Sequence, residues 1–218
     1  MNLKKSFKPG TLLSPVPAVM VSCGEGDEKN IITIGWTGII NSDPPMIYVS
    51  VRPSRHSHDI IEKSGEFVIN VTTEKLAFAT DYCGVKSGKD VDKFDKMNLT
   101  PVSGDVVKCP MIAESPLNLE CKVTEVKRLG THDMYMAEIV AMHVNEELVD
   151  EKGKIDLAAA GLLAYAHGEY YGLKKAAIGR FGFSVMKTKT KKKINKAKHE
   201  ERIEKNRANR TKKKKVNR

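Results

Sequence analysis

Apolar and β-branched residues come in short blocks along this chain, cut by glycine, proline and polar turns. The segments "PAVMVSC" (17–23), "IITIGWTGII" (31–40), "MIYVSVR" (46–52) and "EFVINV" (66–71) have the length and content of β-strands. Two longer segments follow, "LNLECKVTEVKRL" (117–129) and "MYMAEIVAMHVN" (134–145), separated by the polar turn "GTHD". In the first of these, Leu117, Leu119, Cys121, Val123 and Val126 roughly alternate with polar residues, as in an antiparallel strand with one wet face. Helical spacing is rarer. "SHDIIEKSG" (57–65) predicts a short helix stopped by glycine, and "TTEKLAFATDYCG" (72–84) one opened by threonine caps. "DLAAAGLLAYAHG" (156–168) predicts a third helix, capped by Asp156 and ending near Gly168. Residues 1–16 read as an extended arm with a turn at Pro9-Gly10, and 85–113 as loop. Six or seven strands, few short helices and no β–α alternation predict a mainly-β antiparallel barrel. No GxGxxG, Walker loop or internal repeat occurs, so a Rossmann sheet is not expected.

Composition divides the chain in two. Of its 218 residues 40% are hydrophobic and 29% charged, which suits a folded domain with an appendage. The net charge of +10 misleads, because residues 187–218 hold 12 Lys, 4 Arg and 3 Glu, a net +13. Taking that from +10 leaves the preceding 186 residues at −3. Residues 1–186 therefore read as the domain and 187–218 as a lysine-rich tail, disordered or loosely helical. Such a tail attracts phosphates without reading sequence, which makes a polyanion-binding (nucleic-acid) protein with the barrel as scaffold the alternative function. The tail has no aromatic residue for base stacking.

The four cysteines, Cys23, Cys83, Cys109 and Cys121, form no CxxC pair or metal spacing. They read as reduced packing residues of a cytoplasmic protein. No apolar run is long enough for a transmembrane helix, and no membrane contact is expected. Lys4, Lys5 and Lys8 ahead of "GTLLSPVPAVMVSC" imitate an export signal, but Pro15 and Pro17 interrupt its apolar part. His143 and His167 have no paired ligand, so no metal site is expected.

The chemistry concentrates where the third strand gives way to the first helix. Arg52, Ser54, Arg55 and Ser57 crowd that junction. A helix N-terminus offers free N–H groups and the positive end of a dipole, serine hydroxyls donate, and arginines supply forked donors. This is a phosphate site with a mechanism; the competing reading is a helix capped by Ser57 with solvated arginines. Thr37, Asn41 and Ser42 lie just upstream, before a turn stiffened by Asp43-Pro44-Pro45 that could read the edge of a flat heterocycle. Trp36 reads equally as a core residue, and His132 as a polar hairpin residue.

The ordered combination "NIITIGWTGIINSDPPMIYVSVRPSRHSHDIIEKSGEFVINV" (30–71), "DYCGVKSGKDVDKF" (81–94), "AESPLNLECKV" (113–123), "GTHDMYMAEIVAMHV" (130–144) and "AYAHGEYY" (164–171) resembles the flavin reductase-like, FMN-binding split-barrel family, in its flavoredoxin-type branch. The resemblance spans roughly residues 8–185. It implies a six-stranded Greek-key split barrel, a homodimer, and non-covalent FMN. It implies that the flavin phosphate sits at Arg52, Ser54, Arg55 and Ser57. The ring would lie against Trp36, Thr37, Asn41 and Ser42, with the loop at Lys86 and Ser87 closing over the cofactor. His132 matches the family histidine near the flavin and is the candidate catalytic residue; Tyr165 and His167 are further residues reaching the site. The implied function is redox: electrons enter from NAD(P)H or another carrier and leave to a redox partner.

Overall fold

A computed structural model of the chain describes residues 3–173, 176–188 and 190. The chain divides into two units, Met1–Lys175 and Ala176–Arg218. Most of the lysine-rich tail lies outside the described residues. Within the second unit the described part is mostly exposed chain, with a 3-10 turn at Phe183–Val185.

The first unit is mainly β. Its strands are β1 (Val16–Pro17), β2 (Val19–Cys23), β3 (Asn30–Ile34), β4 (Thr37–Ser42), β5 (Pro45–Val51), β6 (Glu66–Asn70), β7 (Pro101–Val102), β8 (Met111–Ile112), β9 (Leu117–Arg128), β10 (Asp133–Val144), β11 (Leu163–Ala166) and β12 (Glu169–Gly172). Three α-helices interrupt them, α1 (His56–Ser64), α2 (Ala77–Val85) and α3 (Lys93–Lys96). Seven strands pair antiparallel in the order β3-β2-β6-β9-β10-β5-β4. β3 and β4 stand at opposite ends of that order, yet only Gly35 and Trp36 separate them in sequence. The sheet therefore curls until its two edges approach, giving an antiparallel half-barrel.

The curl encloses one core. Val21, Val49, Val51, Phe67, Ile69, Cys121, Tyr135 and Ala137 are buried inside it. Each such large side chain stabilises the fold by about 1.5–3 kcal/mol through area removed from water. A second cluster, with Met20, Ile31, Leu76, Ala79, Cys83, Phe94 and Ile112, packs α2 and α3 on the outer face of β2 and β3. All four cysteines are buried and free.

Several local expectations are corrected. The apolar run 31–40 is two strands, because the Trp36 carbonyl turns to accept from Ser50 N–H (2.9 Å) across the barrel edge. α1 begins at His56 with Arg55 as its N-cap, so Ser57 lies inside the first turn and does not cap it. The segment 72–84 opens with a 3-10 turn (Glu74–Leu76) and has no side-chain cap at Thr73. The expected loop 85–113 contains α3, β7 and β8. The helix expected over 156–168 is absent. A 3-10 turn at Leu157–Ala160 meets Gly161 in the left-handed region (φ 70°), which breaks the run, and β11 and β12 follow. β11 pairs with β1 and β12, so Tyr165 faces Val16 on one side and Tyr170 on the other. The N-terminal arm has no turn at Pro9-Gly10. The main sheet has seven strands where six are implied by the resemblance. No helix among the described residues is long and apolar enough to cross a membrane.

Candidate functional site

After β5 the chain folds back, with Arg55 N–H donating to Arg52 O (3.0 Å), and enters α1. The Ser57 side chain is only 1% exposed, and its oxygen accepts from Asn30 Nδ2 (2.8 Å) at the start of β3. A third element closes in from the far side. Asp92 caps α3, accepting from Phe94 N–H (2.9 Å) and Asp95 N–H (3.2 Å). That cap sets the helix so that Lys93 points inward and is 4% exposed. Its Nζ donates to Ile31 O (2.6 Å) and Cys83 O (2.9 Å). An ammonium has three donors, so one remains. No carboxylate lies within ion-pair distance of Lys93 among the described residues. Burial lowers its pKa from the ordinary lysine value, and the Arg55 charge pushes the same way.

Between these elements is a recess of about 90 Å³. Asn30, Ser57 and Lys93 line it with Ser54 and Arg55, and Lys86 and Ser87 complete it. No Asp or Glu is in that lining. The loop of Lys86 and Ser87 lies so close that a Cβ on Gly88 would stand 2.1 Å from Asn30 Oδ1, so glycine is required for the approach.

The recess shares Ile32, Arg55 and Gly84 with a larger cavity of about 540 Å³. Two aromatic pairs line that cavity. Trp36 and His132 have ring centroids 4.4 Å apart, and Tyr165 and Tyr170 meet edge-on at 5.3 Å. Tyr170 donates to Asp81 Oδ1 (3.3 Å); burial first, then that carboxylate, pushes its hydroxyl up to about 12. Burial, with the Arg52 charge, lowers the His132 pKa below the usual histidine range, while Asp133 opposes them. Its ring is therefore neutral at pH 7.

The sequence-predicted residues thus separate into three groups. Ser54, Arg55, Ser57, Lys86 and Ser87 meet in the recess, and Trp36, Arg52, Arg55 and His132 meet in the larger cavity. Thr37, Asn41 and Ser42 line neither: the Thr37 hydroxyl donates to Tyr48 O (2.6 Å), and Asn41 donates to Pro44 O (2.9 Å) in the turn. Trp36 is 43% exposed at the cavity, so the core reading of that residue is corrected. Tyr165 lines the cavity; His167 does not, although Gly168 beside it does. Sequence reasoning singled out neither Asn30 nor Lys93, and Asp81 and Tyr170 were also missed. Only the Asp-before-helix signal at Asp92 hinted that Lys93 has a fixed direction.

A second buried charge lies on another face. Glu120 is fully buried and accepts from the N–H groups of Asp105 (2.8 Å), Val106 (2.8 Å) and Val107 (2.7 Å), with His143 Nε2 at 2.6 Å. Burial works against its charge, but these four donors outweigh it and hold the carboxyl at about 2. Asp105, Glu120 and His143 come as close together as three metal ligands would, but both Glu120 oxygens are already taken by hydrogen bonds.

Known proteins share this sequence pattern and architecture. A family model described as flavin reductase like domain matches residues 12–174. An uncharacterized protein of Pyrococcus abyssi is 34% identical over 146 residues, 67% of this chain and 83% of the relative. Among solved structures, the flavoredoxin of Desulfovibrio vulgaris (Miyazaki F) is similar with a TM-score of 0.77 at 30% identity, covering 84% of this chain and 100% of its own. A flavoredoxin from Methanosarcina acetivorans gives 0.75 at 28% identity, with 84% and 100% covered.

Proposed function

The chain belongs to the flavin reductase like domain family, and on that premise we propose that it is an FMN-binding redox protein. It passes electrons between a donor, NAD(P)H or another carrier, and an acceptor. One observation carries the reading: a recess of cations and hydroxyls without a carboxylate opens into a cavity walled by two aromatic pairs. That donor set fits a single terminal phosphate, and the cavity fits a flat ring attached to it. A dinucleotide's second phosphate has no matching fingerprint in the sequence.

In this reading Lys93 offers its third donor to the phosphate, with Ser57 and Arg55 beside it. Asn30 holds the Ser57 hydroxyl in place, and Lys86 and Ser87 cover the recess. Trp36, Tyr165 and Tyr170 bound the ring. Bound FMN supplies the electron-transfer chemistry itself. His132 stands at its edge, with Thr131 Oγ1 3.1 Å from Nδ1. An imidazole N–H there would stabilise negative charge on a bound flavin.

We also infer that two copies associate. β4 is an edge strand, and its Ile39 and Ile40 are 65% and 44% exposed, which a second copy would cover.

The test is to extract and chromatograph the flavin from protein purified or reconstituted with flavins, then mix the loaded protein anaerobically with NADH and NADPH. Recovery of FMN and bleaching by one nucleotide is the expected outcome. Recovery of FAD alone, or of no flavin after reconstitution, overturns the reading.

A further inference from the structure

His58 follows Ser57 in α1 and is also buried, 8% exposed, but it meets a different partner. Its Nε2 is 2.8 Å from Asp133 Oδ2, and its Nδ1 is 3.2 Å from Asp59 Oδ1. Its ring meets Tyr135 edge-on at 5.7 Å. Asp133 opens β10 directly after His132, and it also receives Arg128 Nη1 at 2.5 Å. Arg128 in turn reaches Glu62 Oε1 (2.6 Å) on α1, and the Tyr135 hydroxyl donates to Glu62 Oε2 (2.9 Å). A chain of polar contacts, His58–Asp133–Arg128–Glu62–Tyr135, therefore staples α1 to the β9–β10 hairpin. Beside His58 in sequence is the serine of the recess; beside Asp133 is the histidine of the cavity.

We propose that His58 is a positioning residue: through Asp133 it ties the first turn of α1 to the hairpin that carries His132, so that filling the recess sets the placement of His132 in the larger cavity. The inference rests on the reading of the recess as an anion site. The staple suits this task because each link is short and direct. His58 and Asp133 are both nearly buried, so a shift of one backbone is felt by the other rather than absorbed by water. Two elements far apart in sequence then respond as one body, and a ligand that favours one arrangement of the pair biases both sites. His132 also gains from the ionised Asp133, whose carboxyl is held below its usual range by the His58 contact first and by Arg128.

The experiment uses the full chain without flavin, labelled with nitrogen-15 at histidine, and inorganic phosphate as the probe. The His132 ring signals, identified by their loss in His132→Gln, are followed during phosphate titration of the wild type, His58→Leu and His58→Gln. In the wild type, saturating phosphate is expected to move the His132 signals. In His58→Leu, folded by circular dichroism, most of that movement is expected to be lost even at saturation, leaving the small direct effect of the anion's field. His58→Gln, which keeps a donor within reach of Asp133, is expected to restore it. If His58→Leu does not fold, His58→Asn, too short to reach Asp133, is read in its place. The same movement in the variant as in the wild type overturns the positioning role alone. Failure of phosphate to bind the wild type overturns the anion reading of the recess, and the positioning role with it.

Discussion

Lys93 and Glu120 are both buried charges, and they differ in what surrounds them. Glu120 meets four donors with two oxygens, and every one comes from the protein. Lys93 meets two carbonyls with three donors, and the third faces a recess lined by Ser57, Arg55 and Lys86. A buried charge is costly unless it is compensated. Glu120 is compensated within the fold, so it clamps the loop at residues 105–107 onto β9. Lys93 is compensated only in part, and the recess gathers more positive charge around it. An anion from outside would complete that set. The contrast separates scaffold from site by counting donors and acceptors, where burial alone would have grouped them.

Substitutions test the contrast directly, and the largest effect is expected at Lys93. Lys93→Met should weaken FMN by about 100-fold, the upper end of the 1.5–3 kcal/mol carried by a charge-assisted hydrogen bond. Riboflavin, which has no phosphate, should lose far less; fluorescence-quenching titrations of the folded variant read both. Equal losses would make Lys93 another Glu120. Glu120→Gln should do the reverse. It replaces an acceptor of four bonds by a group with its own donors, so urea unfolding should show a loss of about 2–3 kcal/mol while FMN affinity stays within about threefold. The wild type should also lose stability in acid through this group. Its carboxyl is held near 2 in the folded state against an ordinary 4.5, so the contribution is complete above 4.5 and disappears as pH falls toward 2. That part of the acid sensitivity should be missing from Glu120→Gln.

Smaller effects sharpen the picture of the recess. Ser57→Ala should weaken FMN about tenfold, one neutral-to-anion hydrogen bond, and should also lower stability by about 1–3 kcal/mol because the buried Asn30 amide loses its acceptor. FMN affinity should also fall as pH rises. Lys93 loses its proton below its ordinary 10.5 because burial disfavours the charge, and the neutral amine attracts phosphate weakly. The decline should begin below the ordinary lysine value of 10.5 and be absent in Lys93→Met. A profile unchanged by that substitution would assign the decline to another group.

The barrel was legible because strands with one wet face announce themselves by alternation, as in 117–129, and the strand-to-helix junction by its crowding of hydroxyls and arginines. Five of the residues read from that junction and its covering loop do meet in one recess. What escaped the sequence depended on contacts distant along the chain. Lys93 looks like any surface lysine until Asp92 turns it toward Ile31 and Cys83. The alanine-rich segment after Asp156 has helical propensity, but Gly161 and the pairing of β11 with β1 override it. Asn41 and Ser42 adjoin the proline-stiffened turn in sequence, yet β4 carries them along the sheet edge and away from either cavity lining.

The proposed role of the recess at Ser57, Arg55 and Lys93 is to hold the phosphate of a mononucleotide flavin. The most direct measurement is the ratio of riboflavin to FMN dissociation constants for the wild-type apoprotein, at neutral pH and fixed salt. Two or more charge-assisted bonds to the phosphate predict FMN tighter by about 100-fold or more. Equal dissociation constants would contradict the account, because then nothing in the recess reads a phosphate.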